Sequence, residues 1–108
     1  METLNRNITF TRGDTYGFNM VFTDLEQDLD AAFLTCRVAK DKASQIVFQK
    51  SLNDGITKTD TDTYTVRIAP EDTADLELGT YYYDLEFSVS GDTYTPLKGK
   101  IKLTWEVS

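Results

Sequence analysis

From Thr80 to Val107, apolar residues recur at every second position on both sides of a turn-forming quartet, Ser90-Gly91-Asp92-Thr93. Tyr81, Tyr83, Leu85, Phe87 and Val89 form one run, and Leu97, Ile101, Leu103, Trp105 and Val107 the other. Period-two alternation marks strands with one buried face, and a Gly-Asp pair between two such runs marks a hairpin. A loop with an odd residue count, most simply Gly91-Asp92-Thr93, puts both odd-numbered sets on one face. The even-numbered face then pairs Asp84 with Lys100, Glu86 with Lys98, Tyr82 with Lys102 and Thr80 with Thr104. On this register the C-terminal lysines face acids, and the outer face is a solvated surface without a basic patch.

The same period runs through the rest of the chain. Ile8 and Phe10 alternate up to the turn signal Arg12-Gly13-Asp14, and Tyr16, Phe18, Met20 and Phe22 alternate after it. The stretch 24–30 is too acidic for a sheet interior and reads as a loop anchored by Leu29. Ala32 to Lys40 predicts a third strand with Leu34, Cys36 and Val38 inward, and Ile46-Val47-Phe48 opens a fourth that Asn53-Asp54-Gly55 breaks. Ile56 is a candidate anchor. Asp60-Thr61-Asp62 turns the chain into Tyr64-Thr65-Val66-Arg67-Ile68. Pro70 suits the first position of a helix, the acids after it suit the positive helix end, and Gly79 stops it, which predicts one short helical turn around residues 71–76.

About six to eight short strands, with turns roughly every 8 to 12 residues, predict an all-β chain folded as an antiparallel two-sheet Ig-like β-sandwich. Its core is expected to hold Phe18, Met20, Phe22, Leu34, Val38, Phe48, Val66, Ile68, Leu85, Phe87, Leu103 and Trp105. The 108 residues form a single domain, 1–108, long enough to bury a core without metals or disulfides.

Composition narrows the chemistry. The chain has no histidine, which removes the commonest general base and the commonest nitrogen metal ligand. A formal net charge of −7 argues against nucleic acid, whose binding needs clustered Lys and Arg. Cys36 is the sole cysteine and sits in a strand pattern as a small core hydrophobe, so no intramolecular disulfide forms. The polar start Met1-Glu2-Thr3-Leu4-Asn5-Arg6 lacks the apolar stretch of a signal peptide, and no apolar run reaches membrane-spanning length. We expect no enzyme activity and no cofactor.

Local motifs have plain structural readings. Arg12-Gly13-Asp14 matches an integrin-recognised tripeptide, but Gly13 and Asp14 are also what a tight turn requires. Asn7-Ile8-Thr9 fits the glycosylation sequon inside a predicted strand. Asp24, Glu26, Asp28 and Asp30 supply oxygens that suit calcium, at a spacing without the EF-hand glycine and terminal glutamate. Three tyrosines, Tyr16, Tyr82 and Tyr94, are the candidate partner-binding residues, since exposed tyrosine is enriched at interfaces and stacks on sugars.

Ala69-Pro70-Glu71-Asp72-Thr73-Ala74-Asp75-Leu76, followed by Leu78-Gly79-Thr80-Tyr81-Tyr82-Tyr83-Asp84-Leu85-Glu86 and Thr95-Pro96-Leu97-Lys98-Gly99, resembles a pattern in small Ig-like β-sandwich proteins of tailed phages and prophages. Ile8-Thr9-Phe10-Thr11-Arg12-Gly13-Asp14-Thr15 is similar to the opening of those proteins and of the N-terminal domain of phage baseplate upper proteins. Asp28-Leu29-Asp30-Ala31-Ala32 sits where they carry a related segment, from which Asp30-Ala31 departs. The resemblance implies a non-enzymatic structural or assembly protein of the tail, baseplate or head-tail region. Such a protein is made in the bacterial cytoplasm, enters the virion, and contacts other particle proteins or a second copy of itself. A carbohydrate-binding or host-surface adhesion module is the alternative, and it requires the three tyrosines to share a patch.

Overall fold

Alternation along the chain becomes strand almost wherever it occurs. The structure is a computed structural model that describes residues 3–22, 27–41, 43–60 and 62–105. Asp24, Leu25 and Glu26 of the acidic loop, Thr61, and Val107 at the end of the last run lie outside the described residues. In chain order the elements are β1 (Leu4–Asn5), β2 (Ile8–Thr11), β3 (Tyr16–Val21), β4 (Ala31–Arg37), β5 (Ile46–Leu52), β6 (Gly55–Asp60), β7 (Thr63–Ile68), α1 (Pro70–Thr73), β8 (Gly79–Val89) and β9 (Asp92–Thr104). The described residues are mostly strand, 65%, with almost no helix.

The nine strands form one curled sheet in the order β1-β9-β8-β4-β5-β6-β7-β3, with β2 also paired to β9. The sheet is mixed, which corrects the wholly antiparallel expectation: β1 and β2 run parallel to β9, and β5 parallel to β6. Both N-terminal strands keep one register on β9, Leu4 opposite Leu97 and Ile8 opposite Ile101. Parallel pairing of this kind joins the two ends of the chain, and no local turn signal announces it.

The sheet passes from β5 to β6 through the loop at Asn53–Gly55. Asn53 takes φ 68° and Gly55 φ 100°, so the chain loops out and resumes in the same direction, and only Ser51 and Leu52 pair with β6, in parallel, before β6 joins β7. β2, which pairs with β9, and β3, at the far end of the pairing path, are joined by residues 12–15, and the Phe10 and Tyr16 rings stack with centroids 5.0 Å apart. Phe22 packs edge-on against Tyr64 and Phe87, at 5.9 and 4.9 Å.

Ile8, Leu34, Cys36, Ile56, Tyr64, Val66, Ile68, Leu85, Phe87, Ile101 and Leu103 are buried in the enclosed core. Phe18, Met20 and Phe22 pack against it half-buried. Two expected core residues lie outside: Val38, 44% exposed, follows the last residue of β4, and Trp105, 78% exposed, follows the last residue of β9. Parity alone placed them inward, but a side chain beyond the end of its strand has no neighbouring strand to pack on. Leu29 does anchor the acidic loop, buried with its N–H donated to the Tyr64 hydroxyl at 3.0 Å.

The helical turn is shorter than the expected 71–76, with Pro70 in the first turn and the Ala69 N–H donated to the Asp72 carboxylate at 2.7 Å. Arg12-Gly13-Asp14 closes onto this turn. Arg12 Nη1 donates to the Leu76 carbonyl at 3.0 Å, the Gly13 N–H to Thr73 Oγ1 at 2.9 Å, and the Asp14 N–H to the Thr11 carbonyl at 3.1 Å. The tripeptide turns the chain between β2 and β3, as its turn chemistry predicts, and is also engaged in holding that turn to Thr73 and Leu76.

Candidate functional site

Register on the last hairpin decides what the outer face displays. Ser90 and Gly91, with φ 52° and 82°, make a two-residue turn, and Ser88 pairs with Thr93 beside it. Between the pairs Phe87–Tyr94 and Leu85–Leu97, β9 carries one more residue than β8. Pro96, which has no N–H to give a ladder, lies within that bulge. Beyond it Asp84 pairs with Lys98, Tyr82 with Lys100 and Thr80 with Lys102, two residues from the pairing expected of a three-residue loop.

This register corrects the charge-matched face. Lys98 alone among the three lysines stands opposite an acid on β8, while Lys100 faces an aromatic ring and Lys102 a threonine. On the other side of β8, Arg37 of β4 pairs with Tyr82 and Thr35 with Asp84. Lys40, past the end of β4, places its Nζ 5.8 Å from the centroid of the Tyr82 ring. Tyr82 thus sits among Arg37, Lys40 and Lys100, a cation-rich aromatic surface on a chain whose net charge is −7.

These residues floor an open groove of about 700 Å³, rimmed on the β1 side by Thr3, Asn5 and Asn7. The rim is fixed by backbone contacts. Thr3 Oγ1 donates to the Thr95 carbonyl at 2.6 Å, the Arg6 N–H to the Lys98 carbonyl at 2.8 Å, and the Lys100 N–H to Asn7 Oδ1 at 3.2 Å. Asn7 of the sequon therefore spends its side-chain oxygen on the fold. Among the described residues Asp84 is the one acid lining this groove. A smaller depression of about 170 Å³ adjoins it, lined by Phe33, Gln49 and Glu86 with Thr35, Arg37 and Asp84 shared between the two.

The three candidate tyrosines do not meet. Tyr82 faces the groove, whereas Tyr16 is half-buried against Phe10 and Phe18. Tyr94 is half-buried against Phe87, with ring centroids 5.4 Å apart, and its expected outward direction is corrected. The cause is the bulge, because one extra residue exchanges the two faces of a strand. Arg37, Lys40, Lys98 and Lys100, which the sequence reading left out of the site, were visible as residue types. That Arg37 and Lys100 both stand opposite Tyr82 rather than an acid was not.

The acidic loop offers less. Asp24 and Glu26 lie outside the described residues, Asp28 pairs with Lys58, and Asp30 Oδ2 accepts the Ser90 N–H at 3.0 Å. Among the described residues no group of three His, Cys, Asp or Glu is placed to hold a metal ion. Two neutral acids are held protonated by burial: the Cys36 thiol is pushed up to about 12, and the Tyr83 hydroxyl, which donates to the Arg6 carbonyl at 2.7 Å, is also pushed up to about 12. Cys36 behaves as the core hydrophobe its pattern predicts, since a thiol held neutral is a poor nucleophile.

No family model and no curated protein matches the chain. Among solved structures it is similar to the extracellular domain of the voltage-gated sodium channel beta4 subunit, described in parallel homodimers that explain a role in cell-cell adhesion. Sequence identity there is 10%, with a TM-score of 0.48 over 95% of this chain and 93% of that one.

Proposed function

We propose that this chain is a non-enzymatic Ig-like β-sandwich module of a phage or prophage particle, working in the tail, baseplate or head-tail region by contact with other particle proteins. The observation that carries the contact reading is the outer face of β4, β8 and β9. It is a broad, open groove built on a half-buried tyrosine and rimmed by polar side chains, the make-up of a protein-docking surface rather than an enclosed reaction chamber. The particle setting is supported by the resemblance carried by residues 69–86, 95–99 and 8–15.

Two features support the Ig-like sandwich. The strands divide into β1/β2-β9-β8-β4-β5 and β6-β7-β3, joined through only two residue pairs at Ser51 and Leu52. Tyr81, at the start of β8, donates its hydroxyl to the Glu77 carbonyl at 2.8 Å, in the manner of the tyrosine corner of Ig domains.

Particles from an induced lysogen, purified on a density gradient and analysed by mass spectrometry, test the setting. The chain is expected at a fixed ratio to the major capsid protein, as for a ring or trimer set. Its absence from intact particles overturns the particle role. A photo-crosslinking residue at Tyr82 tests the face, and is expected to capture a particle subunit.

A further inference from the structure

The groove carries a row of cations spaced like an extended chain. Lys98, Lys100 and Lys102 occupy alternate positions on β9, so they stand on one face at steps of about 6.8 Å, and all three are exposed; Lys98 and Lys100 line the groove, and Lys102 continues the row beyond it. Across Tyr82 from this row stand Arg37 and Lys40. Among the described residues no carboxylate forms an ion pair with any of these five. The pairs Lys50–Asp72 and Lys58–Asp28 lie elsewhere. Arg37 Nε is buried with no hydrogen-bond partner, a donor of the kind that native structures rarely leave unmatched.

Concentrating Arg37, Lys40, Lys98 and Lys100 against a single lining acid, Asp84, in one groove of an acidic chain costs self-repulsion, and the arrangement matches a ligand of opposite sign. Resting on the reading that this face makes the protein's contacts, we propose that the groove binds an extended acidic segment of a partner protein. Alternate Asp or Glu side chains of such a segment repeat at the same step as the β9 lysines, because both chains are strands. They pair with Lys98, Lys100 and Lys102, a further carboxylate accepts from Arg37, and the segment's stems lie over Tyr82. A matched repeat favours a polypeptide over a polymer of acidic sugars, whose residue spacing is not that of a strand.

The test is an NMR titration of the full-length, isotope-labelled chain with a synthetic peptide of alternating Glu and Thr. The controls are the same peptide with Gln for Glu, and polygalacturonate. Amide shifts are expected within residues 35–40, 80–84 and 98–102, with affinity falling about tenfold or more as salt rises through the range where exposed charges are screened. Lys98→Gln with Lys100→Gln is expected to weaken binding at least tenfold at an unchanged melting temperature, since both side chains are exposed and no new carboxylate is set opposite Asp84. Equal binding of the Gln peptide, shifts confined to another face, or indifference to the two substitutions overturns the proposal. Binding of polygalacturonate without the peptide replaces it with an anionic glycan. A Tyr82 crosslink to a particle subunit that survives the double substitution removes the acidic segment and keeps the contact face. Peptide binding by a chain absent from particles does the reverse.

Discussion

Gly99 lies against the backbone of Arg6 so closely that a β-carbon on Gly99 would collide with the Arg6 carbonyl. The same carbonyl accepts the Tyr83 hydroxyl, and the Arg6 N–H is donated to Lys98, so the chain between β1 and β2 is clamped onto β9 where β9 has no side chain. Gly99→Ala must push this crossing away. We expect a loss of about 1–3 kcal/mol in urea denaturation, the usual cost of overpacking. Lys98→Ala, one residue away and exposed, should stay within about 0.5 kcal/mol of the parent. An unchanged midpoint for Gly99→Ala would show that the N-terminal strand does not cross there.

Tyr83 and Cys36 make stability fall at high pH. Burial raises the Tyr83 hydroxyl from 10.0 to about 12 and the Cys36 thiol from 9.0 to about 12. Each therefore holds its proton more tightly when folded than when unfolded. Their contribution is complete below the unfolded values and is lost as pH rises from about 9 toward 12, on the order of 1–3 kcal/mol per group by pH 11. Denaturant midpoints measured across that window should decline, with Cys36→Ala flattening the early part and Tyr83→Phe the later part. A flat profile from pH 8 to 11 in the parent would contradict the burial of both groups.

Thr73 is fully buried and accepts the Gly13 N–H, which makes it the joint between the Arg12–Asp14 turn and the helical turn. Thr73→Val keeps the shape and removes the acceptor, so about 1–3 kcal/mol should be lost through the unpaired N–H. Thr73→Ser keeps the oxygen and should cost less. Thermal melts that reverse this order would mean that the methyl group, not the hydrogen bond, is what the site needs.

The Tyr81 hydroxyl, donated to the Glu77 carbonyl, ties the start of β8 to the segment after α1. Tyr81→Phe should lower stability by about 0.5–1.5 kcal/mol, one net hydrogen bond, while leaving the circular dichroism spectrum unchanged.

Trp105 stands 78% exposed past the end of β9. Its fluorescence should resemble that of tryptophan in water and be freely quenched by iodide in the native protein. Shielded, blue-shifted emission that becomes exposed on dilution would instead indicate that a second copy covers this end of the chain.

Alternation by itself determined most of the strands, though not β1 or β6, that Leu34, Cys36, Leu85, Ile101 and Leu103 point inward, that Gly13 turns the chain and that Leu29 anchors its loop. Those are local consequences of period two and turn chemistry, available to any short window of sequence. Tertiary structure decided the rest. The parallel clamp of β1 and β2 on β9 joins residues more than ninety positions apart and leaves no local trace beyond a glycine at position 99. The two-residue turn at Ser90-Gly91 and the single-residue bulge around Pro96 together moved the partners of Lys98, Lys100 and Lys102 by two residues, and the bulge put Tyr94 on the inward face with Leu97, because in a strand each inserted residue exchanges the two faces. Lys100, which alternation paired with Asp84, came through that register to stand opposite Tyr82, while Lys98 exchanged Glu86 for Asp84. Ladder pairing sets which charges face one another, and the chain's order of residues does not.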